Sequence, residues 1–125
     1  MKYFLQFCFI FTILFSNQKE IENIYFNGNQ FLTSEELINW MPIQKSSFFN
    51  KSIYNSRSLK LSAIQLKNLY NSKGFINAKV NPKIKEINNK ITINFFIEEG
   101  EQYFIKEIEF VGNRTYPSDE LLKVL

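Results

Sequence analysis

The sequence predicts an α+β domain of order β-α-α-β-β, in which two helices cover one face of a three-stranded sheet. Three observations carry this prediction: alternating apolar and polar residues in three short segments, apolar residues at helical spacing in two others, and turn-forming Gly, Asn and Pro residues between them. A hydrophobic fraction of 45% and a charged fraction of 22% are those of a globular chain. The residues after a leader suffice for one small domain.

The leader, residues 1–17, is predicted to be a signal peptide. Lys2 precedes an apolar run from Tyr3 to Phe15, which is shorter than the roughly 20 residues of a spanning helix. A basic start followed by such a run is typical of a secretory signal. Ser16 offers a small residue for cleavage, so we expect export and a mature start close to Asn17. An uncleaved anchor or a buried helix is the alternative.

The first strand ends at a glycine, and a capping box begins the helix that follows. Ile24 and Phe26 have the period of a half-buried strand, and Gly28 can take the positive φ of a sharp turn. Thr33 to Glu36 reads T-x-x-E, a reciprocal pair of side-chain caps. Pro42 is expected to stop the helix, whose predicted apolar face comprises Leu37, Ile38, Trp40 and Met41.

A loop at residues 43–55 precedes the second predicted helix, which begins at Ser56. Gly74 is a natural left-handed cap at the end of this helix. Its apolar residues recur at spacings of four, three and four, so they share one stripe: Leu59, Ala63, Leu66 and Tyr70.

Two alternating segments predict the second and third strands, joined by a tight turn at Asn88–Asn89. The acidic run Glu98 to Glu101 then closes the unit as a solvated turn or, less simply, as a paired-carboxylate site. One face of the second strand carries Ile76, Ala78, Val80, Pro82 and Ile84, and the third strand carries Ile91, Ile93, Phe95 and Ile97.

Pro82 predicts that the strand from Ile76 to Lys85 lies at an edge of the sheet. Proline has no N–H to donate, so in a strand it is confined mainly to edges and bulges. Lysine side chains along the same strand agree, because charge on an edge discourages uncontrolled pairing. Since main-chain groups alternate in direction, Asn77, Lys79, Asn81 and Lys83 are expected to bond to the third strand.

A motif near the start of the domain recurs at a fixed offset of 84 residues. The string FNGNQFLTSEEL begins at Phe26, and FVGNRTYPSDEL begins at Phe110. Self-similarity at a fixed period indicates tandem structural units. We therefore predict one whole repeat at residues 19–101 and the incomplete start of a second at 103–125. Eight identities in seventeen positions carry the match, at Ile21, Ile24, Phe26, Gly28, Asn29, Ser34, Glu36 and Leu37.

The composition argues against several classes of function. The chain has no His and one Cys, Cys8, which lies in the leader. This excludes His-based catalysis and the usual zinc sites. Ser46 and Ser47 have no accompanying base of the histidine kind, and the net charge of +3 is well mixed. We therefore expect neither an enzyme nor a nucleic-acid-binding protein, and no metal or cofactor.

Three motifs of the chain belong together: I-x-F-x-G-N at the first strand, LYNSKGFINAKV at Leu69 to Val80, and FIEEGEQYFIKEIEFVGN at Phe96 to Asn113. In combination they resemble POTRA domains, the periplasmic repeats of BamA-type outer-membrane assembly proteins. The resemblance covers nearly all of residues 19–125 and implies a three-stranded mixed sheet. The sequence departs from the family between its two helices, where a Gly is usual and this chain reads IQKSSFF.

The resemblance implies a binding module on the periplasmic side of the outer membrane. Its partners would be unfolded outer-membrane β-barrel precursors and the lipoproteins of the assembly complex, with attachment through a C-terminal barrel that this chain does not include. The partner strand would join an exposed sheet edge by β-augmentation. Two alternatives stay open: a two-partner secretion or translocation-assembly transporter, and a division protein of the FtsQ kind.

The candidate binding residues follow from the edge strand. We expect a client to pair with the outward main chain of Ile76, Ala78 and Val80, with Lys79 and Lys83 as neighbouring side chains that favour acidic clients. Structural roles are assigned to Gly28, Asn29, Gly74, Pro82, Gly100, Gly112 and Asn113.

Overall fold

The three alternating segments form the strands of a single sheet, and the two helical segments pack against it. The structure is a computed structural model that describes residues 18–124, so the predicted signal peptide lies outside the described residues. In chain order the elements are β1 (Glu20–Asn27), α1 (Ser34–Asn39), α2 (Ser56–Ser72), β2 (Lys79–Ile87), β3 (Lys90–Glu98) and α3 (Ser118–Leu122). None of the helices in residues 18–124 has the length and apolar character needed to cross a membrane.

The sheet is mixed, and β3 is its central strand. The strand order is β1-β3-β2, with β1 parallel and β2 antiparallel to β3. The β1–β3 register shifts between Ile21 and Asn23, which marks a bulge near the start of β1. This arrangement confirms the predicted α+β class and leaves β1 and β2 as the two edges.

The core lies between the helices and one face of the sheet. All four alternating residues of β3 are buried, as predicted: Ile91, Ile93, Phe95 and Ile97. The α2 stripe meets them with Leu59, Leu66 and Tyr70, while Ala63 packs at the margin. Phe96 points to the opposite face and is 41% exposed.

Trp40 does not belong to the apolar face of α1, contrary to the sequence prediction. The helix has only six residues, and Trp40 is its C-cap. Leu37 is fully buried and Met41 nearly so, whereas Trp40 is 60% exposed. The helical spacing fails here because the chain leaves the helix before the stripe is complete.

The capping box of α1 forms as the sequence predicts. The Thr33 hydroxyl accepts from the Glu36 N–H at 3.2 Å, and the Glu36 carboxylate accepts from the Thr33 N–H at 2.8 Å. The hydrogen bond from the Thr33 backbone N–H is the main cause that lowers the pKa of Glu36 below its ordinary value, and the bond from the Thr33 hydroxyl is the second.

This pKa shift predicts a pH dependence of stability. Because the folded-state pKa is lowered, the stabilisation is complete above the unfolded pKa of about 4.3 and is lost as pH falls through the folded value. Glu36→Gln keeps an acceptor but removes the titration. We expect the free energy of unfolding of the native chain to fall relative to Glu36→Gln below about pH 4. Urea titrations between pH 7 and pH 3 measure it, with Glu35→Gln, outside the box, as control. A difference that stays constant with pH would contradict the prediction.

The turn after β1 recurs in the tail with the same local geometry. Gly28 and Gly112 have φ of 87° and 84°. The Asn29 side-chain amide donates to the carbonyl of Leu32 at 2.9 Å, and that of Asn113 donates to the carbonyl of Tyr116 at 2.8 Å. A short helix follows each turn, at Ser34 and Ser118. The turn and the short helix thus recur, but residues 105–110, the counterpart of most of β1, form no strand, and the helix at Ser118 has no side-chain cap.

Gly74 ends α2 in the left-handed conformation predicted for it, with φ of 92°. The segment after Gly100, whose φ is also positive, returns to this helix end. Tyr103 donates its N–H to the carbonyl of Gly74 at 2.9 Å, and the Gln102 side chain donates to the carbonyl of Lys73 at 2.8 Å. These bonds satisfy the carbonyl groups of the two residues that follow α2.

Candidate functional site

The outer side of β2 is the candidate site, because β2 is an edge strand. A two-residue turn joins it to β3, with Asn88 and Asn89 at φ of 50° and 62°. Two positive φ values are the signature of the type I′ turn, whose twist suits a hairpin. The register then runs without a shift from Ile87 opposite Lys90 to Lys79 opposite Glu98.

The main-chain direction along β2 follows from this hairpin. Residues that flank a two-residue turn form a hydrogen-bonded pair, and such pairs alternate along an antiparallel ladder. The bonded positions are therefore the odd-numbered ones, from Lys79 to Ile87. Pro82, opposite Phe95, falls at an outward position where no ladder donor is missed. The remaining outward positions are Val80, Ile84 and Glu86.

Two of the predicted binding residues lie outside this strand. Ile76 is in a turn before β2, which begins at Lys79, and its side chain is 56% exposed. Ala78 is buried, and it donates its N–H to the carbonyl of Phe75 at 3.1 Å. The strand was predicted to begin three residues too early, because the turn after Gly74 contains residues that keep an alternating pattern. Asn77, which was expected to bond to β3, therefore lies before the paired register. The outward run is therefore centred on Val80 and Ile84.

The lysines beside this edge lie on the solvent face of the sheet. Lys79 forms an ion pair with Glu98 of β3 at 3.2 Å. The Lys83 ammonium lies 5.0 Å from the centre of the Phe96 ring, a cation–π distance. Both lysines neighbour the outward main chain, so they are available to a strand that pairs there. Near the other end of β2, the Lys19 ammonium forms an ion pair with the Glu86 carboxylate at 2.6 Å.

The first half of the β1 edge is occupied by the loop at residues 43–55. Ile21 donates its N–H to the carbonyl of Ser52 and accepts from the N–H of Ser46, both at 2.8 Å. Tyr54 donates to the carbonyl of Lys19 at 2.7 Å. These bonds use outward main-chain groups of Ile21 in β1 and of Lys19 just before it, so the two edges of the sheet are not equivalent. The sequence pattern showed no sign of this cover.

Glu99 was predicted to lie in a solvated turn, but its side chain also has a structural role. Its carboxylate accepts from the N–H groups of Gln30 and Phe31 at 2.8 and 2.9 Å, which ties the turn after β1 to the end of β3. The nearby Tyr70 hydroxyl is buried but does not reach hydrogen-bonding geometry with a described residue. Burial of the hydroxyl is the main cause that raises the pKa of Tyr70, and the nearby Glu99 carboxylate is the second. The phenol is therefore neutral at physiological pH.

Ser46, Ser47 and Glu99, which the sequence offered as catalytic candidates, accept hydrogen bonds from main-chain N–H groups. The Ser46 hydroxyl accepts from the N–H of Ser52, and that of Ser47 accepts from the N–H of Asn50. Glu36 and Glu99 cap or clamp main-chain donors. Within residues 18–124, no three His, Cys, Asp or Glu side chains come together in a way that could hold a metal ion.

The chain is similar to proteins named for outer-membrane protein assembly. A family model described as POTRA, surface antigen variable number repeat, matches residues 19–100. The outer membrane protein assembly factor BamA of Buchnera aphidicola is 28% identical over 96 residues, which cover 75% of this chain and 15% of that protein. BamA of Neisseria meningitidis is 29% identical over 82 residues, or 65% of this chain and 10% of that protein.

The crystal structure of the POTRA4 domain of Haemophilus influenzae BamA shares the fold. It matches 69% of this chain and 97% of that domain with a TM-score of 0.56 at 16% identity. The chain spans between 10% and 15% of the length of the curated relatives that it matches.

Proposed function

This chain belongs to the POTRA family, and we propose that it serves as a periplasmic binding module of a BamA-type outer-membrane assembly factor. Residues 19–101 are one POTRA domain in this proposal, and residues 103–125 begin a second. The partners are unfolded β-barrel precursors and accessory lipoproteins, and no catalytic step is involved. Relatives named as assembly factors support this role over a secretion transporter or an FtsQ-like division protein.

A partner joins by adding a strand to the outer side of β2. The single observation that carries this is the open edge beside β3, with outward main chain at Val80 and Ile84 and no described strand beyond it. Main-chain bonds supply affinity in this mode of recognition, and neighbouring side chains supply selectivity. Lys79 and Lys83 then favour a strand that carries acidic residues. Pro82 has no N–H, so it interrupts the row of outward main-chain donors between Val80 and Ile84. This keeps binding weak enough to be reversible.

Titration of the 15N-labelled chain with an extended barrel-strand peptide tests this proposal. We expect amide shift changes centred on Val80 and Ile84. Pro82→Val restores one outward donor, and one net hydrogen bond of about 0.5–1.5 kcal/mol corresponds to binding tighter by roughly two- to tenfold. Val80→Pro removes a donor and should weaken binding by a similar factor.

The matched control is Val80→Ala, which shortens the same side chain but keeps its N–H. It should retain most of the affinity that Val80→Pro loses. Shift changes confined to α1 and α2, or equal affinities for Pro82→Val and the native chain, would contradict strand addition. Circular dichroism of each variant checks that the sheet remains folded.

A further inference from the structure

Two adjacent phenylalanines at the tip of the loop between α1 and α2 have no role in the proposed function. Phe48 and Phe49 are 94% and 95% exposed. Their rings meet edge to face with centroids 5.0 Å apart. Single exposed apolar residues are common, but a contiguous exposed pair indicates an interaction site. This is also where the sequence departs from the usual family pattern.

Hydrogen bonds hold the tip in a defined shape. Ser47 donates its N–H to the carbonyl of Asn50 at 2.8 Å, and Asn50 donates its N–H to the Ser47 hydroxyl at 3.2 Å. At the base, Ser46 and Ser52 both bond to Ile21 of β1. The two rings therefore project from a closed turn that is fastened to the sheet.

The charge around the tip is positive. Lys45 and Lys51 flank it, and residues 43–55 contain no Asp or Glu. The Lys51 ammonium lies 3.6 Å from the Glu20 carboxylate. The Lys51 side chain is 75% exposed, so the carboxylate offsets the lysine charge only partly. Both rings are almost fully exposed, so they stand out from the surface, which suits a partner that yields around them.

We propose that the Phe48–Phe49 tip inserts into the surface of an anionic phospholipid bilayer. The rings enter the boundary between headgroups and acyl chains, while Lys45 and Lys51 stay at the level of the lipid phosphates. Anionic lipids attract each lysine near the surface. The tip projects from the β1 edge, and β2 lies at the opposite edge of the sheet. Membrane contact therefore leaves the candidate partner edge free.

An environment-sensitive label next to the tip tests this proposal in the full chain. Cys8→Ser removes the native thiol, and Asn50→Cys carries the nitrobenzoxadiazole fluorophore while both phenylalanines remain. We expect a blue shift and stronger emission with vesicles of phosphatidylglycerol and phosphatidylcholine, and a much weaker response with phosphatidylcholine alone. The same label at Lys67→Cys, on the exposed side of α2, should not respond.

Variants separate the two parts of the tip. Phe48→Ser with Phe49→Ser should lower the apparent membrane partition coefficient of the protein, as the label at position 50 reports it, by at least about tenfold. Lys45→Gln and Lys51→Gln should each lower it by about fivefold. The double variant Lys60→Gln with Lys67→Gln lowers the net charge by two, as the two tip changes do when they are combined. Its changes lie away from the tip, so it should have little effect.

Three results would overturn the proposal. They are an absent response at position 50, a response that survives both Phe→Ser changes, and a response without vesicles that grows with protein concentration. The last result identifies a second copy as the occupant of the tip. The predicted signal peptide is common to all variants, so its own lipid affinity does not alter the comparison.

Discussion

Gly28→Ala is expected to unfold a large fraction of the domain. Gly28 has φ of 87°, and a Cβ there would lie 2.1 Å from the carbonyl oxygen of Ile97. A non-glycine residue at such a φ costs about 1–3 kcal/mol, and the contact forces the end of β3 to shift as well. The total, roughly 3–5 kcal/mol, is a large part of the stability of a small domain. Thermal unfolding followed by circular dichroism should show a midpoint lower by roughly 15 °C or more.

Gly112→Ala is the matched control, because Gly112 has the same turn geometry without the contact. Its φ is 84°, and nothing lies within 4 Å of the position of its Cβ. Gly112 is in the tail, away from the core cluster. The free energy of unfolding of the domain should therefore fall by less than about 0.5 kcal/mol. Equal losses in the two variants would show that the backbone conformation alone, and not the contact with Ile97, makes Gly28 necessary.

Phe95→Ala is expected to have a comparable effect, through the core. Phe95 is fully buried in the central strand and stacks on Phe26 with ring centroids 5.5 Å apart. Removing a buried phenylalanine side chain typically costs about 3–5 kcal/mol, because apolar surface is lost and a cavity remains. Urea denaturation should show a much lower midpoint with a similar slope.

Phe96→Ala is the control for this change, since the neighbouring residue points to the other face of the sheet. Phe96 is 41% exposed and contacts Lys83. Losing an exposed ring and one cation–π contact should cost about 1 kcal/mol or less. If Phe96→Ala were as damaging as Phe95→Ala, the assignment of one covered and one open face would be wrong.

Local chemistry explains why several elements were predictable from the sequence. The T-x-x-E box forms because Thr33 and Glu36 need only each other. Asn88 and Asn89 turn the chain because asparagine tolerates positive φ. Pro82 indicates an edge because a missing N–H cannot be repaired by distant contacts. Each feature depends on residues within a few positions of one another.

Other features depend on residues far apart in the chain, and only the tertiary structure decided them. Periodicity does not say that β1 pairs with β3 in parallel, or that the loop at residues 43–55 covers the β1 edge through Ile21. Likewise, Glu99 clamps the turn at Gln30, 69 residues away. Ala78 keeps the strand pattern, yet its N–H closes a turn onto Phe75. Side-chain pattern reports which face is buried, whereas the partner of each main-chain group is chosen by packing across the whole domain.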